Sequence, residues 1–150
     1  MRVMMAVPAL LVLGCSSSTD VGVDLESNTT GLEVSTARTA YNAGDPIDTR
    51  IVNHTGEVIF VAHCNFRISL LVERRSHDTW EPYIQVNGAA CTGLHPAGDR
   101  SIDPGAAVAE TFQIDAAGEF RIKLYGRRAS EDFGSTVSVS PRFTVSYPPD

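Results

Sequence analysis

The sequence is poor in the features that mark most catalysts and most membrane spans. It holds one tryptophan, three cysteines and three methionines in 150 residues. The methionines are Met1, Met4 and Met5, all at the amino end. Beyond the first fifteen positions no stretch stays apolar for the ~20 residues that a membrane-spanning helix needs. No helical period lasts three turns, which argues against a helix bundle or an alternating α/β architecture. There is no G-x-S-x-G elbow, no H-E-x-x-H, no phosphate-binding G-x-x-x-x-G-K-S/T and no calcium loop. Bases are scattered: 12 Lys and Arg stand against 18 Asp and Glu, a formal charge of −6. Nucleic acids need a concentrated positive face to meet phosphates, and acidic lipid heads need a basic cluster. Nucleic-acid binding is therefore set aside.

What is present begins at the amino end. Arg2 precedes an apolar run from Val3 to Leu13, too short to cross a bilayer and suited to the centre of a secretory signal peptide. A plain signal peptide closes on small residues with an A-x-A-like pattern. This one closes Val12-Leu13-Gly14-Cys15, which resembles the lipobox of bacterial lipoproteins. The resemblance implies a signal peptide over residues 1–14, cut before Cys15. It also implies a diacylglycerol on the Cys15 thiol and often an acyl group such as palmitate on the new amino end. Ser16, not aspartate, follows the cysteine, which in that family favours the outer membrane over the inner one. The expected partner of Cys15 is thus a lipid bilayer and the expected location the cell envelope. A buried methylene contributes about 0.8 kcal/mol; one fatty chain holds reversibly and two or more hold stably. Loss of Arg2 with the signal peptide makes the mature chain one unit more negative.

With Cys15 lipidated, Cys64 and Cys91 are left as a pair in an oxidising compartment, where a disulfide is the default. Closing that loop is worth roughly 3.5 kcal/mol on the chain-entropy account. The competing reading is two separate buried thiols. Residues 15–31 comprise the lipidated cysteine and "SSSTDVGVDLESNTTG", a polar stretch without period. They read as a flexible tether spanning roughly 20 to 25 Å. Asn28-Thr29-Thr30 and Asn53-His54-Thr55 match glycosylation sequons, which a bacterial lipobox disfavours.

Residues 32–148 have the length of one domain and the texture of short strands broken by turns. Leu32 and Val34 alternate with polar neighbours. Gly44, Asp45 and Pro46 make a turn before Ile47, Thr49 and Ile51 share a face. "NHTGE" (53–57) reads as a hairpin loop leading to the apolar "VIFVAHC". Phe66, Ile68, Leu70 and Val72 share one face, with Arg67, Ser69 and Glu73 opposite. "ERRSHD" reads as a polar loop before Thr79 and Trp80. After the turn at Asp103-Pro104-Gly105 come Val108, Phe112 and Ile114. Phe120, Ile122 and Leu124 then point inward, with Arg121, Lys123 and Tyr125 outward. Val137, Val139, Phe143 and Val145 close the domain. This spacing predicts an all-β fold: an antiparallel, immunoglobulin-like β-sandwich of about seven to nine strands.

The order "Y..GDPI..RIVN.T", "FRISLLV......W", "SIDPG......F.I" and "AGEFRIKL" resembles the small bacterial immunoglobulin-like domains grouped with BsuPI, named for an intracellular proteinase inhibitor. It covers residues 41 to 125 and rests on Tyr41, Gly44, Asn53, Trp80, Pro104, Gly105, Gly118 and Phe120. These are turn and core residues. The resemblance implies the fold, and inhibition is not carried over because no reactive-loop motif matches.

His54, His63, His77 and His95 form no ligand pair at helical spacing. Cys91 and His95, with His54 or His63, offer an incomplete blue-copper set that lacks a methionine. No metal or other cofactor is expected. Trp80, Tyr83 and Tyr125 are candidates for a surface platform that takes protein or glycan, against core filling by Trp80. Residues 85–100 and 126–135 are long for hairpins, and such loops carry binding. Arg127 and Arg128 lie in the second, where a solvated tip is the plainer role. The expectation is a non-enzymatic, membrane-tethered binding or structural accessory module. Proteinase inhibition is its first alternative and a copper carrier the second.

Overall fold

A computed structural model describes residues 31–87, 97–132 and 134–149. The expected signal peptide (1–14), Cys15, residues 16–30 of the expected tether, Cys91 and His95 lie outside the described residues. Within them the chain forms strands and turns. Three strands make the smaller sheet: β1 (Leu32–Thr36), β3 (Pro46–Asn53) and β9 (Ala107–Gln113), in the order β1-β3-β9. Alternation explains β3, whose Ile47, Thr49 and Ile51 are buried while Asp48 and Arg50 are exposed. Its register sets Ile51 beside Val34 and Ile47 beside Phe112, so each strand adds to one apolar face.

The larger sheet is built round β10 (Gly118–Arg128), which pairs with β4 (Ile59–Cys64), β6 (Leu70–Ser76), β11 (Thr136–Val139) and β12 (Phe143–Ser146). β7 (Thr79–Val86) pairs with β6, β8 (Ala97–Ile102) and the two-residue β5 (Arg67–Ile68) pair with β4, and β2 (Ala40–Asn42) pairs with β12. The β2–β12 pair is parallel, the exception to an otherwise antiparallel arrangement. Phe120, Ile122 and Leu124 are wholly buried, as are Ile59, Val61, Ile68, Leu70 and Val72. They form one core with Leu32, Val34, Ile47, Ile51 and Phe112 of the smaller sheet. Each such side chain gives about 1.5 to 3 kcal/mol on burial. The fold is an immunoglobulin-like β-sandwich, and the twelve strand segments among the described residues exceed the expected seven to nine because short breaks split the runs.

Several local expectations change. The 53–57 segment is no hairpin, because β3 and β4 belong to different sheets. Asn53 makes that crossing possible: wholly buried, it donates to the Glu57 and Ile102 carbonyls, both at 2.8 Å. Its side-chain oxygen accepts from the Thr55 amide and hydroxyl. That engagement leaves the Asn53 sequon no free amide. "ERRSHD" continues β6 as far as Ser76, and only His77 and Asp78 turn. In β11 the buried residues are Thr136 and Ser138, not Val137 and Val139. Arg121 and Glu73, both expected outside, are only 6% exposed.

The clearest departure is Phe66, expected on the core face and found 83% exposed. Cys64 pairs with Arg67, so Asn65 and Phe66 form a two-residue turn, with φ of 50° and 64°. Such turns favour Asn-Gly because a side chain crowds the left-handed backbone. The alternation that points Phe66 inward stops one residue too soon for it.

Candidate functional site

Two regions carry the polar and aromatic residues that matter. The first is the outer face of the larger sheet. Trp80 on β7 is half-buried, with the Arg121 guanidinium 4.5 Å from its ring centre. Arg121 Nε donates to Glu73 Oε2 at 2.7 Å, and Lys123 Nζ lies 3.9 Å from the other carboxylate oxygen. Lys123 in turn stands 5.6 Å from the Tyr125 ring centre. Trp80, Arg121, Glu73, Lys123 and Tyr125 thus form one continuous ladder. A cation over an aromatic face is worth about 0.5 to 2 kcal/mol as water is excluded.

Tyr83 does not join that ladder. The β6–β7 register shifts between Val72 and Glu73, leaving Tyr83 as an extra residue between Pro82 and Ile84. Its ring meets the Phe120 ring edge-on at 5.3 Å, covering the core. Trp80, Tyr83 and Tyr125 therefore do not share a platform. Beside Tyr125 lies a shallow recess of about 180 Å³, lined also by Ala62, Ser69, Leu71 and Gln85. Small-molecule sites run to about 300 Å³ and more, so this recess fits a side chain at most.

Arg127 and Arg128 are engaged within the chain. Arg127 reaches Asp99 Oδ2 from Nε at 3.2 Å and Nη2 at 2.7 Å, and lies over the Phe60 ring at 5.0 Å. Arg128 pairs with Glu57 at 3.4 Å and Glu131 at 3.5 Å. Glu131 accepts from the Ser135 hydroxyl and the Arg128 amide. Those bonds, Ser135 first, hold its carboxyl below the usual range.

The second region is the end where β4, β5 and β9 meet, and sequence reasoning missed its centre. Glu110 faces inward on β9, and its side chain is 4% exposed. One oxygen accepts the Ile68 amide at 2.7 Å; the other accepts Arg67 Nε at 3.1 Å and Asn87 Nδ2 at 3.4 Å. Arg100 stands 3.9 Å away. A carboxylate of the smaller sheet is thereby tied to the larger one. A signal existed: Val108, Glu110, Phe112 and Ile114 share one parity, and a charge there needs partners. Cys64, 2% exposed, ends β4 beside this group.

Of the histidines, His54 lies 2.8 Å from Glu33, His63 stacks on Phe66, and His77 occupies the β6–β7 turn. Among the described residues no three His, Cys, Asp or Glu converge to hold a metal.

No family model matches the chain. No curated protein matches it either. Nine chains of solved structures do. One is the ASH / PapD-like domain of human CEP192 (PapD-like domain 7), with 12% identity and a TM-score of 0.35. That match covers 98% of this chain and 99% of the other. The two-sheet architecture stands on the strand pairing above and not on that likeness.

Proposed function

We propose that the mature protein is an exported lipoprotein, held in the cell envelope by acylated Cys15, whose sandwich serves as a binding or structural accessory module. The observation that carries the reading is the order of the amino end: Arg2, the apolar run, then Gly14-Cys15. The position of the fold supports it. Leu32, the first residue of β1, is wholly buried, so the compact domain starts where the polar tether would end. A Cys64–Cys91 bridge belongs to the same reading, supported by the disulfide state of Cys64. The outer membrane is the favoured site because Ser16 follows the lipidated cysteine.

The module binds or braces and does not catalyse. What supports this is how four of its buried polar residues are spent: Asn53, Glu73, Glu110 and Arg121 complete structural bonds. Inhibition of a proteinase, which the BsuPI resemblance suggests, would be stoichiometric and would show in a panel of proteases. Mass spectrometry of the mature protein tests the main reading. The expected result is an amino end at Cys15 carrying diacylglycerol, with the protein partitioning into detergent. A Cys15→Ser chain is expected to lose both. An unacylated, water-soluble mature protein overturns the proposal.

A further inference from the structure

We propose that Phe66 is a preformed anchor that inserts into an apolar pocket with an acidic rim on a protein partner, at the end of the domain far from the tether. This deepens the binding-module reading and rests on it for orientation. At 83% exposure Phe66 is the most exposed large apolar side chain among the described residues. Local folding does not ask for it there. A turn of two left-handed residues is best served by Asn-Gly, and a phenylalanine at φ 64° works against folding.

The tip is nonetheless braced from both sheets. Arg100 Nη1 donates to the Phe66 carbonyl at 3.1 Å. Arg67, next in the chain, gives Nε to Glu110 at 3.1 Å and Nη2 to the Thr111 carbonyl at 2.8 Å. Ile68 donates its amide to Glu110 at 2.7 Å. On the other side His63 lies nearly parallel to the Phe66 ring, with centroids 6.3 Å apart. A rigid, exposed aromatic loses little freedom on binding, and aromatic anchors in pockets dominate interface energetics.

Charge states the chemistry of the partner. The Arg67 and Arg100 side chains are 52% and 38% exposed, while the Glu110 they share is 4% exposed. The surface beside the ring is therefore cationic on a chain whose charge is −6. An acidic rim complements it. Position states the side. Gly31, where the tether would enter, accepts the His54 amide just beyond the end of β3. Asn53 joins that end to Ile102, the partner of Ile59. From Ile59, β4 runs about 17 Å to Cys64 and the Phe66 turn. The chain therefore enters the domain at the end opposite the Phe66 tip.

The test places photoreactive benzoylphenylalanine at position 66 of the full chain in its producing cells, and at exposed Tyr147 for comparison. A protein adduct at 66 and none at 147 is expected. That protein, purified, should bind the acylated chain in detergent about tenfold more weakly after Phe66→Gly, and more weakly again in raised salt. The same Phe66→Gly chain should fold about threefold more favourably, because the left-handed strain is relieved. A phospholipid adduct at 66, no adduct, an affinity indifferent to Phe66→Gly, or a less stable Phe66→Gly chain overturns the anchor. An unacylated Cys15 in a chain that still gives the protein adduct overturns the tethered reading and leaves the anchor standing.

Discussion

Glu110 and Glu73 are buried alike, at 5% and 6% exposure, yet one lies between the sheets and the other outside the larger one. Glu110 is met by a backbone amide as well as by side chains, and its bonds run from β9 to β5. Glu73 is met by Arg121 and Lys123, both from neighbouring β10, with Trp80 over the guanidinium. Removing Glu110 cuts one polar tie between the two sheets and leaves the buried Ile68 N–H without its acceptor. Removing Glu73 takes one carboxylate from Arg121 and Lys123, both on the same sheet. Burial alone does not say what a carboxylate holds together; the elements its partners come from do.

The sharpest way to break this comparison is substitution followed by urea unfolding. Glu110→Ala should cost about 4 kcal/mol, since a buried amide and Arg67 both lose their acceptor. Glu73→Ala should cost about 2 kcal/mol, because Arg121 loses one partner within a single sheet and no backbone amide loses its acceptor. Equal losses would refute the distinction between inter-sheet and intra-sheet roles. The pair Glu73→Leu with Arg121→Leu should recover to within about 1 kcal/mol of the parent. Arg127→Ala, which removes a partly exposed pair and a contact over Phe60, should cost at most about 1 kcal/mol.

The smallest effect is a pH dependence at Glu131. Its carboxyl sits below the ordinary range, so the stability it lends is present above that range and fades as pH falls through the lowered value. Carboxyl titration by NMR should show Ser135→Ala moving the Glu131 midpoint upward. An unmoved midpoint removes the hydroxyl as its cause.

Much of the sandwich was legible because period-two alternation maps directly onto a buried face. Ile47, Ile51, Phe120, Ile122 and Leu124 all lie where alternation puts them. Alternation says nothing about which sheet a strand joins, and for that reason the crossing at residues 53–57 read as a hairpin. It also cannot foresee a register shift, so Tyr83 reads as part of one platform with Trp80 and Tyr125 when it does not join them. The ladder from Trp80 to Tyr125 was half visible: its aromatic ends were singled out, and its buried charged middle was not. Glu110 and Phe66 show the same limit from opposite sides, a charge facing inward and a ring facing outward. Both depend on partners more than 30 residues away, namely Ile68 for the glutamate and Arg100 for the turn.

Among the described residues β7 has a single neighbour, so its other side is a rim of backbone that another strand could join. Pro82 offers no N–H there, and the register shift beside it kinks the ribbon. A proline and a kink at that rim work against strand-to-strand pairing between copies.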